Sequence, residues 1–176
     1  MTALDTSKFN KGGLTHYILF DTSLPLDDTL HRVAEVAPAY ATSPSFLSIE
    51  GVQSPFQLIK VIRLGLSYTR FIKAQALLPF SQQEWALMLQ VSTRTLERIK
   101  KEKLTLTPSQ SEKLVEVTLL FDYGLQVFGS FDTFSTWLGR PNTALGGIVP
   151  KSLLDTSQGM KAVEATLARI SYGVFA

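Results

Sequence analysis

Apolar positions recur at spacings of three and four along most of the chain, the period of helices packed on one side. The segment Ser81 to Glu102 sets the pattern. Ser81 and Glu84 have the spacing of a capping box, and Trp85, Ala86, Met88 and Leu89 give the helix they open an apolar side. Val91 falls in a turn, and Ser92 is placed to cap a second helix. In that helix Leu96 and Ile99 share one face, with Arg94, Arg98 and Lys101 opposite. Upstream, Ser54-Pro55-Phe56-Gln57 predicts a helix start, with the helix ending at Gly65. A further helix follows from Ser67 and is stopped by Pro79. Downstream, Thr107-Pro108-Ser109-Gln110 opens a helix whose stretch Leu114 to Phe128 is apolar on nearly every face. Such a helix must be covered all round. The available covers are a second module, a second copy of the chain, or another protein; a plain buried core helix is the alternative. Short helices over Phe131 to Leu138 and Ser152 to Leu154 flank a turn-rich stretch containing Leu145-Gly146-Gly147. A last helix runs from Thr156 to Ser171 with Met160, Val163, Leu167 and Ile170 on one side.

Residues 1–50 carry less pattern. Tyr17 to Phe20 is a brief apolar run, a strand or a docking segment. Asp27 to Ala37 has the spacing of a short amphipathic helix ended by Pro38. The expected class is all-α. The expected divisions are an N-terminal extension (1–50), a helix-turn-helix domain (51–112) and a C-terminal domain (113–176), whose residues 113–128 form a connecting and dimer helix.

Composition narrows the function classes. A chain of 176 residues has room for one ordinary core or two small helical modules. The absence of Cys removes disulfides and thiolate chemistry, and fits a reducing, cytoplasmic setting. No HExxH, Walker loop, transmembrane-length apolar run or signal-peptide pattern occurs, and no catalytic carboxylate pair or Ser–His–Asp set stands out. The expectation is a non-enzyme with no metal, no cofactor and no membrane partner.

The formal charge of +2 is unevenly spread. Residues 60–113 hold ten cations against four acids, while residues 1–59 sum to −3 and residues 114–176 to −1. The basic third coincides with the helix-turn-helix, which points to an anionic partner for that part alone. A short helix with an apolar inner edge and a cationic outer edge suits a major-groove reader. A solvated basic helix in a small helical domain has the same pattern. On the first reading, Ser92, Thr93, Arg94, Arg98 and Lys101 are the DNA-binding candidates. Ser92 and the helix start face phosphate, Arg94 faces a guanine edge, and Arg98 and Lys101 face the backbone.

A resemblance covers about residues 66–176. Phe128-Gly129, Trp137-Leu138, Pro141-Asn142, Leu145-Gly146-Gly147, Pro150, Leu153-Leu154, Thr156, Gly159, Val163, Leu167, Arg169-Ile170 and Tyr172-Gly173 resemble the toxin-binding domain of the Xre/MbcA/ParS antitoxins. Arg94-Thr95-Leu96-x-Arg98 and Ser111 resemble the helix-turn-helix that precedes it. Lys100-Lys101-Glu102-Lys103 is more charged than the family pattern. The resemblance implies an antitoxin of a type II toxin–antitoxin pair. It would cover the substrate site of a RES-domain toxin, a protein that consumes NAD, and would repress its own promoter; a DNA-binding module this small buries little surface, so a homodimer on a near-palindrome is expected. The toxin contacts expected are Lys161, Arg169, Tyr172, Val174, Phe175 and Ala176, with either the acids Asp155 and Glu164 or the terminal carboxylate of Ala176 facing the toxin's cations. A stand-alone transcription regulator and a protein-binding adaptor are the alternatives.

Overall fold

The computed structural model describes residues 55–173, which form seven α-helices and two 3-10 turns, with no strand among them. The expected strand or docking run at Tyr17 to Phe20 and the helix at Asp27 to Ala37 lie outside the described residues, as do Val174, Phe175 and Ala176. The helices are α1 (Pro55–Leu64), α2 (Tyr68–Leu77), α3 (Gln82–Met88), α4 (Thr93–Glu102), α5 (Pro108–Phe128), α6 (Phe131–Leu138) and α7 (Ser157–Ser171). The 3-10 turns are Thr143–Leu145 and Pro150–Leu153.

Helix starts follow hydroxyl caps. Ser81, Ser92, Thr107, Ser130 and Thr156 each accept a hydrogen bond from a backbone N–H in the first turn that follows. The capping boxes expected at Ser81/Glu84 and Thr107/Gln110 both close. Because the first N–H groups of a helix have no partner within it, these side chains fix where each helix begins.

The 21-residue α5 is the spine. Leu114, Val117, Leu120 and Phe121 are fully buried on it, and α1, α2, α6 and α7 all pack against it. Of the covers considered for this apolar helix, helices of the same chain from both sides of it are the ones observed. Helix α6 turns away by 112° and folds back on α5. Gly124 makes that return possible: a Cβ at this position would strike the ring of Phe134. The core is one continuous cluster threaded by aromatic rings. Phe71 meets Trp85 edge-on at 5.5 Å, Trp85 meets Phe80 at 5.3 Å, and Phe80 meets Phe121 at 5.5 Å. Phe121 meets Phe134 at 5.0 Å, and Phe134 stacks on Trp137 at 5.9 Å. The chain of rings crosses from the helix-turn-helix side to the C-terminal side without a break.

Two hydrogen bonds tie Leu66, in the corner between α1 and α2, to the approach to α5 and to its first turn. The Leu106 N–H donates to the Leu66 carbonyl at 2.8 Å, and the buried Leu66 N–H donates to Ser111 Oγ at 2.8 Å. Ser111 is therefore a cross-link between the α1–α2 corner and the spine, 45 residues apart in sequence.

Candidate functional site

Helices α3 and α4 form the helix-turn-helix. The turn ends α3 with the Val91 N–H donating to the Ala86 carbonyl at 2.9 Å, and Gln90 takes φ 54°. A six-to-one bond around a left-handed residue closes a helix tightly, and glycine usually supplies it. Here glutamine does, a position not foreseen from residue type. Ser92 then caps α4 by accepting from the Thr95 N–H at 3.1 Å. Lys103, at φ 52°, closes the far end, with the Leu104 N–H donating to the Ile99 carbonyl at 3.0 Å. The extra charge of Lys100 to Lys103 thus runs into a second left-handed stop.

Leu96 and Ile99 are buried under α4, while Ser92, Thr93, Arg94, Arg98 and Lys101 are all exposed. Arg94, Arg98 and Lys101 project from the side of α4 opposite the core, spaced four and three apart. Arg94, Arg98 and Lys101 therefore share one accessible side of α4, and Ser92 and Thr93 are exposed at its start. Ser92 is partly committed: its oxygen holds the Thr95 N–H and it shares a 2.9 Å hydrogen bond with the Thr95 hydroxyl. The helix pair is also joined at the surface, where Gln82 Nε2 donates to Glu97 Oε1 at 3.3 Å.

The second candidate surface is the outer side of α7. Met160, Val163 and Leu167 are buried against α5, which leaves Lys161, Ala165 and Arg169 exposed. Tyr172 closes the helix with 83 % of its surface exposed. Nearby on α5, burial raises the pKa of the Tyr123 phenol; Tyr172 and Glu164 add to the rise, and a hydrogen bond with Ser171 opposes it. Asp155 is half-buried in the link before α7.

Glu164 does not stand among the exposed residues of α7. It is half-buried, and burial together with the charge of Glu116 raises its pKa against the opposing pull of Lys161 and Lys113. Glu116 in turn pairs with the buried Lys113 at 2.7 Å. A carboxylate in this setting holds its proton more tightly in the folded protein than in the unfolded chain. Its contribution to stability is therefore present below the ordinary value of 4.5 and is lost as pH rises through the raised folded value. Glu164→Gln is expected to stabilise the protein at pH 7 by about 0.5 kcal/mol, small because solvent screens the site. Thermal melts should show the gain vanishing at pH 4.

The stretch before α7 is locally closed. The Asn142 N–H donates to the Ile148 carbonyl at 3.1 Å, and Asn142 Oδ1 accepts from the Ala144 N–H at 2.9 Å. Gly146 and Gly147 take φ of 68° and 80°, so this pair provides the left-handed steps that return the chain. Gly159 lets the Pro150–Leu153 turn sit on the first turn of α7, since a Cβ there would run into the Leu153 carbonyl.

One contact joins the two halves in a way no sequence pattern signalled. Lys151 Nζ lies 2.8 Å from Glu84 Oε1 and 5.2 Å over the centre of the Phe80 ring. Glu84 Oε2 meanwhile accepts the Ser81 N–H at 2.7 Å. Burial pushes the Glu84 carboxyl up, but hydrogen bonds from Lys151 and Ser81 and the charge of Lys151 outweigh it, leaving its pKa lowered.

Among the described residues, no cluster of three or more His, Asp or Glu side chains is arranged to hold a metal ion, and no single helix is long and apolar enough to cross a membrane.

The arrangement defines a class: a two-part helical protein with a helix-turn-helix first and a small helical domain after it, sharing one spine. Comparison with known families gives the same order of domains. The Antitoxin Xre-like helix-turn-helix domain matches residues 57–117, and the Antitoxin Xre/MbcA/ParS C-terminal toxin-binding domain matches residues 124–173. A Prs ADP-ribosylating antitoxin from Sphingobium sp. (strain YBL2) is 30 % identical over 132 residues, covering 70 % of this chain and 83 % of that protein. Antitoxin Xre from Pseudomonas putida is 27 % identical over 133 residues, 73 % of this chain and 80 % of the relative. Antitoxin Xre from Photorhabdus laumondii is 26 % identical over 115 residues, 65 % of this chain and 78 % of the relative. The chain belongs to the Xre/MbcA/ParS family of antitoxins.

Proposed function

We propose that this antitoxin has two partners, promoter DNA at α4 and a RES-domain, NAD-consuming toxin at the end of α7. The observation that carries the DNA side is the split of α4: Leu96 and Ile99 are buried, and Arg94, Arg98 and Lys101 are exposed on the other side. The toxin side is supported by the match to a toxin-binding domain and by an aromatic side chain left exposed where the helix gives way to Gly173. The name of the Sphingobium relative, which joins antitoxin to ADP-ribosylation, agrees with a toxin related to ADP-ribosyl transferases. Residues 172–176 enter the toxin's substrate site, with Lys161 and Arg169 gripping its rim. The outward Lys161 and Arg169 favour an acidic rim over a cationic one, so Glu164 is not assigned a toxin contact.

On DNA, Ser92 and Thr93 at the start of α4 meet phosphate, Arg94 meets a guanine edge, and Arg98 and Lys101 meet the backbone. A module this small reads few base pairs, so two copies act together on a near-palindrome and repress the antitoxin's own operon. No catalytic role is assigned to any residue.

Promoter titration across a range of salt tests the DNA assignment. Arg94→Ala should cost about 1–3 kcal/mol against the preferred site and flatten the preference between sites. Lys101→Ala should weaken all sequences alike and reduce the salt slope by about one. Wild-type behaviour of both variants removes α4 as the reader.

A further inference from the structure

An acid, Glu97, stands among the cations of α4. It lies three residues past Arg94, one before Arg98 and four before Lys101. At about 100° per residue it falls within about 60° of Arg94 and about 40° of Lys101 around the helix axis. Like them it is exposed, while Leu96 and Ile99 are buried on the other side. Its carboxylate is held from the neighbouring helix. Gln82, the first residue of α3, donates from Nε2 to Glu97 Oε1 at 3.3 Å. Gln82 is half-buried and follows directly on Ser81, whose capping box fixes where α3 begins. The acid is thus tied to the seam of the helix-turn-helix.

A carboxylate on a surface that meets DNA gains nothing from phosphate, which offers it no donor and repels its charge. In the major groove the donors are the exocyclic amino groups of the bases. Guanine and thymine present acceptors there, and adenine sets its amine beside the N7 acceptor. Cytosine presents its N4 amine alone, so it suits a carboxylate best. We infer that Glu97 is a specificity-determining residue that accepts from the N4 amine of a cytosine in the half-site, and that Gln82 is the positioning residue that aims it. The inference rests on the reading of α4 given above. Gln82 occupies one lone pair of Oε1, and the remaining lone pairs of the carboxylate are left for the base. A side chain already held in place loses less freedom on binding. Selection works largely by exclusion, since a guanine or thymine at this position sets acceptor against acceptor. Removing the acid therefore broadens recognition without weakening it.

The test uses the full chain and duplexes of the DNA upstream of its own gene, with each base pair of the bound stretch changed in turn. Affinities are compared for wild type, Glu97→Ala, Glu97→Gln and Gln82→Ala, with thermal melts alongside. In wild type, replacing the cytosine that faces Glu97 should weaken binding about tenfold. In Glu97→Ala that penalty should vanish at this one position, with the preferences elsewhere unchanged. Glu97→Gln should move the preference there from cytosine to adenine, the base that glutamine pairs with. Gln82→Ala leaves the charge of α4 unaltered and should shrink the penalty at the same position and nowhere else. Glu97 variants that keep the wild-type order of preference at every position, even if they bind more tightly throughout, overturn the inference and leave α4 as the reader. Preference lost evenly at all positions in Glu97→Ala also overturns it, because the acid then only seats the helix. A wild-type chain that binds none of the duplexes overturns the reading of α4, and this inference with it.

Discussion

Phe121→Ala is expected to destabilise the protein by about 3–5 kcal/mol, the cost of emptying a well-packed aromatic site. Phe121 is fully buried at the middle of α5, with Phe80 on one side at 5.5 Å and Phe134 on the other at 5.0 Å. Phe131 closes the site at 5.9 Å. Phe80 belongs to the approach to α3, and Phe131 and Phe134 belong to α6, so this ring joins the helix-turn-helix to the toxin-binding domain. The surrounding rings are themselves wedged by Trp85 and Trp137 and cannot collapse far into the space left behind. A cavity that cannot close carries both the lost transfer energy and the lost contacts. Denaturant unfolding followed by tryptophan fluorescence, with Trp85 in one domain and Trp137 in the other, should show a single transition moved to lower denaturant. Two separate transitions in the wild-type protein would mean that the domains do not share a core.

Truncation after Ser171 is expected to abolish neutralisation of the toxin while leaving the fold and promoter binding as they were. The two effects separate because of where the last described residues lie. Tyr172 is 83 % exposed and ends α7 outside the core, so its removal empties no buried site. The five residues removed, Tyr172-Gly173-Val174-Phe175-Ala176, include two aromatic side chains. Aromatic anchors commonly contribute 2 kcal/mol or more each at the centre of an interface. Losing two such anchors corresponds to about a thousandfold in affinity. NAD consumption by the toxin, followed with wild-type or truncated antitoxin in excess, reads the first effect, and promoter titration reads the second. Retained inhibition by the truncated chain would move the toxin contact to Lys161, Arg169 and the body of α7.

How far the sequence could be read depended on the range of the interaction. Local chemistry was legible. Ser81 with Glu84 and Thr107 with Gln110 announce their helix starts because the partners are three residues apart. The pattern of Leu96 and Ile99 against Arg94, Arg98 and Lys101 fixes which side of α4 is buried by helical geometry alone. The all-round apolar character of α5 was equally plain, but its cover was not, since periodicity describes one helix and says nothing about its neighbours. Gly124 illustrates the same limit. A mid-helix glycine is visible in the sequence, yet only the path of α6 shows that it makes room for Phe134. Gln90 takes a left-handed backbone that residue type does not suggest. Glu164 is half-buried and feels the charge of Glu116, a setting that depends on how α7 is rotated against α5 and that no local pattern shows. Lys151 and Glu84 are 67 residues apart, and no local pattern joins them. The toxin-binding domain is identified by the spacing of its turns and caps, which is a property of the family rather than of any single physical rule.

The central claim is that this chain silences a toxin through the end of α7. It is tested most directly by titrating the purified antitoxin into the RES-domain protein encoded beside it and following NAD loss. The account predicts that NAD consumption falls to background once the antitoxin is present at equivalence, and that the two proteins elute as one complex. Undiminished NAD consumption in the presence of excess antitoxin, with the two proteins eluting apart, would contradict it.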